Sequence, residues 1–335
     1  MSELKVGTVV SLTNGATCKV KKDLGKGGQG IVYVADLDGN DMALTWYSND
    51  SYYDSLRKKI YAGSPSSYFL WPQYITEVDN GCFCCVTDLR PKGYYDLSLF
   101  FIAKQRFSSF YAVTTAAMEI CEALKELHAK GFCYHSFSDG NIFIEPSTGH
   151  VKICSDDIFQ CEEQTHILGN ARYMAPEIVA GKTLPNGYSD RFTMSVILFM
   201  LFYGNHPFEG AWYLSCPLDN NPEMAKNLFG FSSVFIMDPS DTKNRPVRGL
   251  HNNVIKRWPL LPAILRDAFT NEFSKDKLQN PEKRFTEQQW IDTITEVRNV
   301  LVRCPHCGME TFVDKGIDDN KCISCGKVIN VQNIK

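Results

Sequence analysis

The apolar residues of this chain change their period once, and that change limits the folds open to it. Over roughly the first ninety positions they fall in short β-branched and aromatic runs: GTVVSL, GIVYVADL, DMALTWY and CFCCVTDL. Gly, Asn and Asp turns separate these runs, which is the pattern of strands and hairpins. One helical stretch, residues 54–62, interrupts them. From about Ser108 the period lengthens. Val113, Ala116, Ala117, Ile120, Cys121, Leu124 and Leu127 recur at three- and four-residue steps, an amphipathic helix ending near Gly131. Two strand-like runs, NIFIE and HVKIC, then flank the turn PSTG. The remainder to about Arg303 reads as mostly helical, with long polar loops such as 237–254. Thr286 with Gln289 three residues on is a capping box ahead of Trp290, Ile291 and Ile294. The class is α+β: a β-rich lobe over 1–90, a helical lobe over 91–302 and a cysteine-bearing tail over 303–335.

Composition narrows the functions. Of the 335 residues, 44% are hydrophobic and 22% charged, enough to bury a sizeable core and too apolar for a disordered chain. The net charge of −3 offers no general attraction to nucleic acid or to an anionic membrane, and neither is expected as a partner. The N-terminus has no basic segment followed by an apolar run, so no signal peptide is expected. The most apolar stretch, Met194 to Tyr203, covers ten residues where a bilayer span needs about 20, so it reads as a core helix. A cytoplasmic location is expected, with the 13 cysteines held mainly as thiols.

Four of those cysteines form a pattern. Cys304-Pro-His-Cys307-Gly and Cys322-Ile-Ser-Cys325-Gly are two CxxC turns separated by 14 residues. Two such turns aim four thiolates at one point, which suits the tetrahedral preference of Zn²⁺. A redox CxxC does not usually come as two matched pairs, and four unrelated surface cysteines would not share this spacing. The expectation is a structural zinc ribbon, all four ligands supplied by protein and no position left open for catalysis. His306 is expected to stand by in solvent.

Gly25-Lys26-Gly27-Gly28-Gln29-Gly30 lies between two strand-like runs. A Rossmann turn would need a helix straight after the glycines. Alternating Ile31, Val32, Tyr33 and Val34 follow instead, so the glycines mark a hairpin tip, either poised over phosphates or simply flexible.

A longer correspondence lies further on. The uninterrupted run from Ala123 to Ile142 carries Leu127, His128, Gly131, Tyr134, His135, Ser136, Asp139 and Asn141. Val151-Lys152-Ile153-Cys154, Ala175-Pro176-Glu177, Ser189-Asp190 and Asn280-Pro281-Glu282-Lys283-Arg284 follow in order. Together these resemble the protein kinases over roughly residues 5–300, and in detail a bacterial subfamily of eukaryotic-like Ser/Thr kinases with a C-terminal zinc ribbon. Phe69-Leu70-Trp71-Pro72 and Asn244-Arg245-Pro246-Val247 are similar to that subfamily too. The resemblance implies a two-lobed fold with a nucleotide site at Gly25, Gly27, Gly30, Val32, Ala43 and Asn141. It also implies a Glu177–Arg284 ion pair and His128 in a packing role. Asp190 is expected to be buried, holding the backbone of residues 134–136. Relatives of this kind accompany a metal-dependent protein phosphatase and von Willebrand A-domain proteins in stress-response or tellurite-resistance gene clusters, so a protein partner is expected.

The departures from that family fall on its chemistry. Phosphoryl transfer needs charge compensation, two metal ligands and a carboxylate that positions the substrate hydroxyl. Thr45 stands where the strand lysine is expected. Within 54–62 only Asp54 is acidic, so both halves of the family's lysine–glutamate pair are absent. Ser136 replaces the catalytic aspartate, flanked by His135 and Ser138 in place of arginine and lysine. Ser155 replaces the metal-binding aspartate, and only Asn141 keeps its identity. The expectation is a pseudokinase with ATP and Mg²⁺ bound weakly or not at all, serving as scaffold or allosteric partner. The alternative is an active, non-standard transferase in which Asp139 and Asp156 form a displaced acidic site. Against it, Asp139 before Gly140 suits a turn, and Asp156-Asp157 a solvated pair. Cys82, Cys84 and Cys85 read as buried small hydrophobes, Lys26 as solvated, and Thr165 as the sole hydroxyl in 158–172.

Overall fold

The structure is a computed structural model that describes residues 3–27, 30–161, 163, 169–216, 222–314 and 320–329. The chain divides into two compact units, Met1–Tyr94 with Lys152–Asp156 and Tyr95–Val151 with Asp157–Lys335. Thr165, Gly28 and Gln29 lie outside the described residues.

The first unit contains β1 (Val9–Ser11), β2 (Thr17–Lys26), β3 (Gly30–Leu37), β4 (Asn40–Tyr47), helix α1 (Tyr53–Ala62), β5 (Phe69–Leu70), β6 (Pro72–Ile75) and β7 (Phe83–Asp88). Six strands form one antiparallel sheet in the order β1-β2-β3-β4-β7-β6. Period two sorts the residues of β3: Ile31, Tyr33, Ala35 and Leu37 are buried and pack with Leu12, Leu44, Trp46 and Cys84. The opposite face carries a second cluster of Tyr47, Phe83, Cys85, Ile75 and Leu56, the last from α1. The rings of Tyr47 and Phe83 stack there at 4.7 Å. Burial drives the thiols of Cys84 and Cys85 up to about 12, so both behave as small hydrophobes.

The second unit is mainly helical. It runs through β8 (Tyr95–Asp96), α2 (Leu97–Phe101), α3 (Phe110–Ala129), β9 (Phe132–Tyr134), a 3₁₀ turn at Asp139–Asn141 and β10 (Ile142–Ile144). Next comes β11 (Val151–Cys154), whose Ile153 and Cys154 lie parallel to Phe69 and Leu70 of β5 and belong to the first unit. The second unit resumes with β12 (Ile158–Gln160), α4 (Pro176–Val179), α5 (Gly187–Tyr203), α6 (Ala211–Ser215), α7 (Pro222–Phe229), α8 (Asn252–Arg257), α9 (Ala263–Glu272), α10 (Lys275–Gln279) and α11 (Glu287–Asn299). It closes with the hairpin β13 (Leu301–Arg303) and β14 (Glu310–Phe312).

Helix α5 is the core element, buried at every residue from Phe192 to Tyr203. A helix apolar all round must be enclosed by protein, and Phe199 meets Phe235, Phe269 and Tyr203 there. Asn186 caps its start through Tyr188 N and Ser189 N, and Gly204 (φ 70) ends it. Thr286 and Gln289 form the reciprocal capping box at α11. Among the described residues no helix is long and apolar enough to cross a membrane.

Candidate active site and metal centre

The glycine segment is a hairpin tip between β2 and β3. Gly27 N donates to Gly30 O at 2.8 Å, and Gly25 (φ 131) pairs with Val32 across the strands. A Cβ on Gly30 would stand 2.1 Å from Trp46 O, so backbone packing against β4 demands glycine there whether or not a ligand is present. Lys26 is exposed. Behind the tip, register places Val32 opposite Thr45, Thr45 opposite Cys85 and Ala43 opposite Val34. Register partners share a face, so Val32, Thr45 and Cys85 form one row across three strands.

A cation does sit in this unit, on the helix rather than the strand. Helix α1 turns Ser55, Leu56 and Lys59 inward and leaves Asp54 exposed. Lys59 is 1% exposed, and its Nζ donates to Ser155 O at 2.8 Å. Its charge acts on Cys85, the cross-strand partner of Thr45. Trp71 Nε1 donates to Lys59 O at 2.9 Å, which gives Trp71 of the FLWP stretch a structural role. From sequence, Lys59 signals this only by its spacing: three positions after Leu56 and four after Ser55, it shares their face. Ser155 is held from its other side as well, since its Oγ donates to Leu70 O at 2.7 Å. Asp156, the next residue, is exposed, and its charge raises the hydroxyl pKa of buried Tyr47 second only to burial itself.

In the second unit, the segment after β9 is held by architecture. Asp190, 2% exposed, accepts from Tyr134 N at 2.9 Å and from His128 Nε2 at 2.9 Å. His128 Nδ1 meets Glu287 Oε1 at 2.9 Å, and Arg191 Nε donates to the same oxygen at 2.8 Å. Burial disfavours charge on His128, but the two carboxylates outweigh it and hold its pKa at about 9. His128 is thus an imidazolium shared between carboxylates, more than a packing residue. Burial lowers the pKa of His135, whose ring lies 4.8 Å from Phe159.

Ser136 lines a small pocket of about 20 Å³ together with Gly169, Tyr173 and Met174, room for about one water. Asn141 is engaged in a capping box, its Oδ1 accepting from Ser138 N at 2.9 Å and Ser138 Oγ at 3.1 Å. Asp139 opens the same turn, half-buried, and acts on Tyr173 and Arg172. Arg284 grips Glu177 through two bonds of 2.7 Å, both residues buried. Asn244 of the NRPV stretch is buried. Its Oδ1 accepts from Gly210 N, Trp212 N and Tyr213 N at the start of α6, and its Nδ2 donates to Phe208 O and Val234 O.

The four tail cysteines converge. The Sγ atoms of Cys304, Cys307, Cys322 and Cys325 lie within 4.8 Å of one another, with Cys304–Cys325 at 3.8 Å and Cys307–Cys322 at 3.7 Å. Four sulfurs about 2.3 Å from a tetrahedral Zn²⁺ stand about 3.8 Å apart, so the donor set fits that ion. His306 is no ligand: its Nε2 meets Val328 O at 3.1 Å and ties the two knuckles together.

The sequence model of the protein kinase domain matches residues 80–249, just over half of the chain. The chain belongs to the protein kinase family. Protein kinase C delta type of Mus musculus is 29% identical over 205 residues, 57% of this chain and 30% of the relative. Serine/threonine-protein kinase Pkn1 of Myxococcus xanthus is 25% identical over 210 residues, 57% and 29% of the two chains. Human protein kinase C delta type is 34% identical over 113 residues, 32% of this chain and 16% of the relative. The kinase-fold chain thus spans under a third of the length of these curated relatives. The β-rich unit, the helical unit and the four-cysteine cluster together make the α+β kinase architecture with a ribbon-like tail.

Proposed function

We propose that this protein keeps the kinase fold without phosphoryl transfer, and acts as a scaffold or allosteric partner of another protein in a bacterial phospho-signalling or stress-response system. The observation that carries this reading is that neither metal-ligand position presents a carboxylate, and both side chains are engaged in internal hydrogen bonds. Asn141 Oδ1 accepts from Ser138 N and Oγ, and Ser155 Oγ donates to Leu70 O. A neutral Thr45 cannot compensate phosphate charge, and Ser136 is no carboxylate base. A nucleotide closed into such a site loses hydration of its phosphates without replacement. The cysteine cluster supports stability or interaction rather than chemistry, because four protein ligands complete a zinc shell. A metal-dependent protein phosphatase or a von Willebrand A-domain protein is the partner that the family resemblance suggests.

A second reading, an active non-standard transferase, has one observation in its favour. Asp156 is exposed and its carboxylate has no hydrogen-bond partner among the described residues, while Asp139 is half-buried on the loop after β9. One experiment separates the two. Purified protein with γ-labelled ATP and Mg²⁺ should label neither itself nor generic protein substrates, and its melting temperature should not respond to ATP in a Mg²⁺-dependent way. Robust labelling, abolished by Asp139→Asn or Asp156→Asn, would overturn the first reading and establish the second.

A further inference from the structure

A cavity lies within the helical unit, where the cysteine tail meets the helices. Its volume is about 530 Å³, in the range of pockets that hold small organic ligands. One wall is aromatic: Phe100 and Phe107 lie 4.6 Å apart, beside Phe110 at the start of α3. Met200 and Leu201, at the end of α5, and Met309 and Ile323 of the cysteine tail also line it. Such a surface favours an apolar body.

The charge on this wall is one-sided. Arg106, Arg257 and Arg303 all line the cavity, against a single carboxylate, Glu310. Glu310 accepts from Tyr111 N at 3.1 Å. Arg257 Nη1 donates to Phe202 O at 3.0 Å, and burial alone lowers its pKa, with no carboxylate among the described residues to offset it. Arg106 and Arg303 are exposed. A partly desolvated guanidinium presents several donors in a plane, a geometry matched by a carboxylate, sulfonate or phosphate. Ala103, which also lines the cavity, holds left-handed backbone (φ 58), a conformation that alanine adopts at a cost and that gathers at binding sites.

We propose that this cavity is a binding site for a small amphipathic organic anion, an aromatic or acyl body ending in one acidic group, with Arg257 as the principal anchor and Arg106 and Arg303 at the mouth. The ligand bridges the cysteine tail and the helical body. It also touches the end of α5, whose first turn holds Tyr134 N through Asp190, so occupancy is felt on the helix that positions the loop after β9. The proposal does not rest on the absence of phosphoryl transfer.

The probe is anilinonaphthalene sulfonate, titrated by fluorescence into zinc-replete, full-length protein. One saturable site is expected, displaced by dodecanoate and at least about tenfold less well by dodecanol, the worth of one charge-assisted bond. Arg257→Gln should weaken probe binding about tenfold. Because Arg257 also bonds Phe202 O, the exposed pair Arg106→Ser/Arg303→Ser serves as a second variant that spares the packing, and it too should weaken binding. Absence of a saturable site overturns the proposal. So does equal displacement by dodecanol, or undiminished binding in the double variant.

Discussion

The Nζ of Lys59, on helix α1, donates to the main-chain oxygen of Ser155 at 2.8 Å, and neither residue is exposed. The resemblance expects a glutamate on this helix to meet a lysine on strand β4. The chain instead has Thr45 on the strand and buries a lysine from the helix, so a charge has changed element, and it now bonds a main-chain carbonyl. Lys59 and Ser155 thereby fasten α1 to the segment that follows β11.

A carboxylate at position 59 would face Ser155 O and stand near Asp156. Lys59→Glu should therefore destabilise the protein by about 3–5 kcal/mol in denaturant unfolding. Adding Thr45→Lys should recover more than about 1 kcal/mol as coupling in a double-mutant cycle, because the two positions then carry opposite charges across the Cys85 row. A Lys59→Glu variant within about 0.5 kcal/mol of the parent would show that this contact is not made.

The His128–Asp190–Glu287 cluster makes stability depend on alkaline pH. The His128 pKa in the folded state, about 9, lies above its ordinary 6.5, so the folded state holds the proton more tightly. The resulting stabilisation is complete below pH 6.5 and is lost as pH rises through about 9. A shift of this size amounts to about 3 kcal/mol. The difference in unfolding free energy between the parent and His128→Gln should be greatest near pH 6 and shrink by about that amount towards alkaline pH. A difference independent of pH across this window would refute the shared imidazolium.

The Glu177–Arg284 pair is bidentate and enclosed. Removing one partner strands a buried charge, so Arg284→Met or Glu177→Leu alone should cost about 3–5 kcal/mol. The two together should cost far less than their sum, since a hydrophobic pair of similar volume needs no desolvation of ions. Urea unfolding of the three variants measures this, and simple additivity would contradict the paired geometry.

Much of this was legible before the structure. Helix α3 followed from apolar steps of three and four, and the last helix from Thr286 and Gln289. The convergence of Cys304, Cys307, Cys322 and Cys325 followed from spacing. A strand before the glycines was read, but the ten-residue extent of β2 was not legible, because only Cys18 and Val20 are buried and the exposed lysines hide the alternation. Lys59 was hidden for a different reason: a lysine on a short helix normally lies in solvent, and the Ser155 carbonyl that accepts its hydrogen bond comes from a segment ninety-six residues on. The sequence marked Asn244 by resemblance alone. Its role, capping the start of α6 across more than thirty residues, is set by tertiary contact. At Asn141 identity was preserved while its oxygen was committed to Ser138, which no single-residue comparison can reveal.

The cysteine cluster should govern more than its own tail. Val313 N donates to Val300 O at 2.9 Å, and Asp314 Oδ2 accepts from Ala263 N, at the start of α9, at 2.8 Å. Phe312 packs edge-on against Phe110 at 5.1 Å. These contacts join the tail to α3, α9 and α11, so loss of the metal should be felt in the body. Elemental analysis of protein purified without chelator should give about one zinc per chain, the capacity of one four-thiolate site. Cys304→Ser or Cys325→Ser should abolish that zinc and open the tail, because binding energy in so small a module is its folding energy. Hydrogen exchange should then rise over 301–314, and the melting temperature of the body should fall by roughly 5 °C, the equivalent of about 2 kcal/mol of lost packing. Substituting exposed Cys161, outside the cluster, should leave zinc content unchanged. A chain that carries no zinc, or one whose body melts identically with the cluster broken, would sever the link between metal and fold.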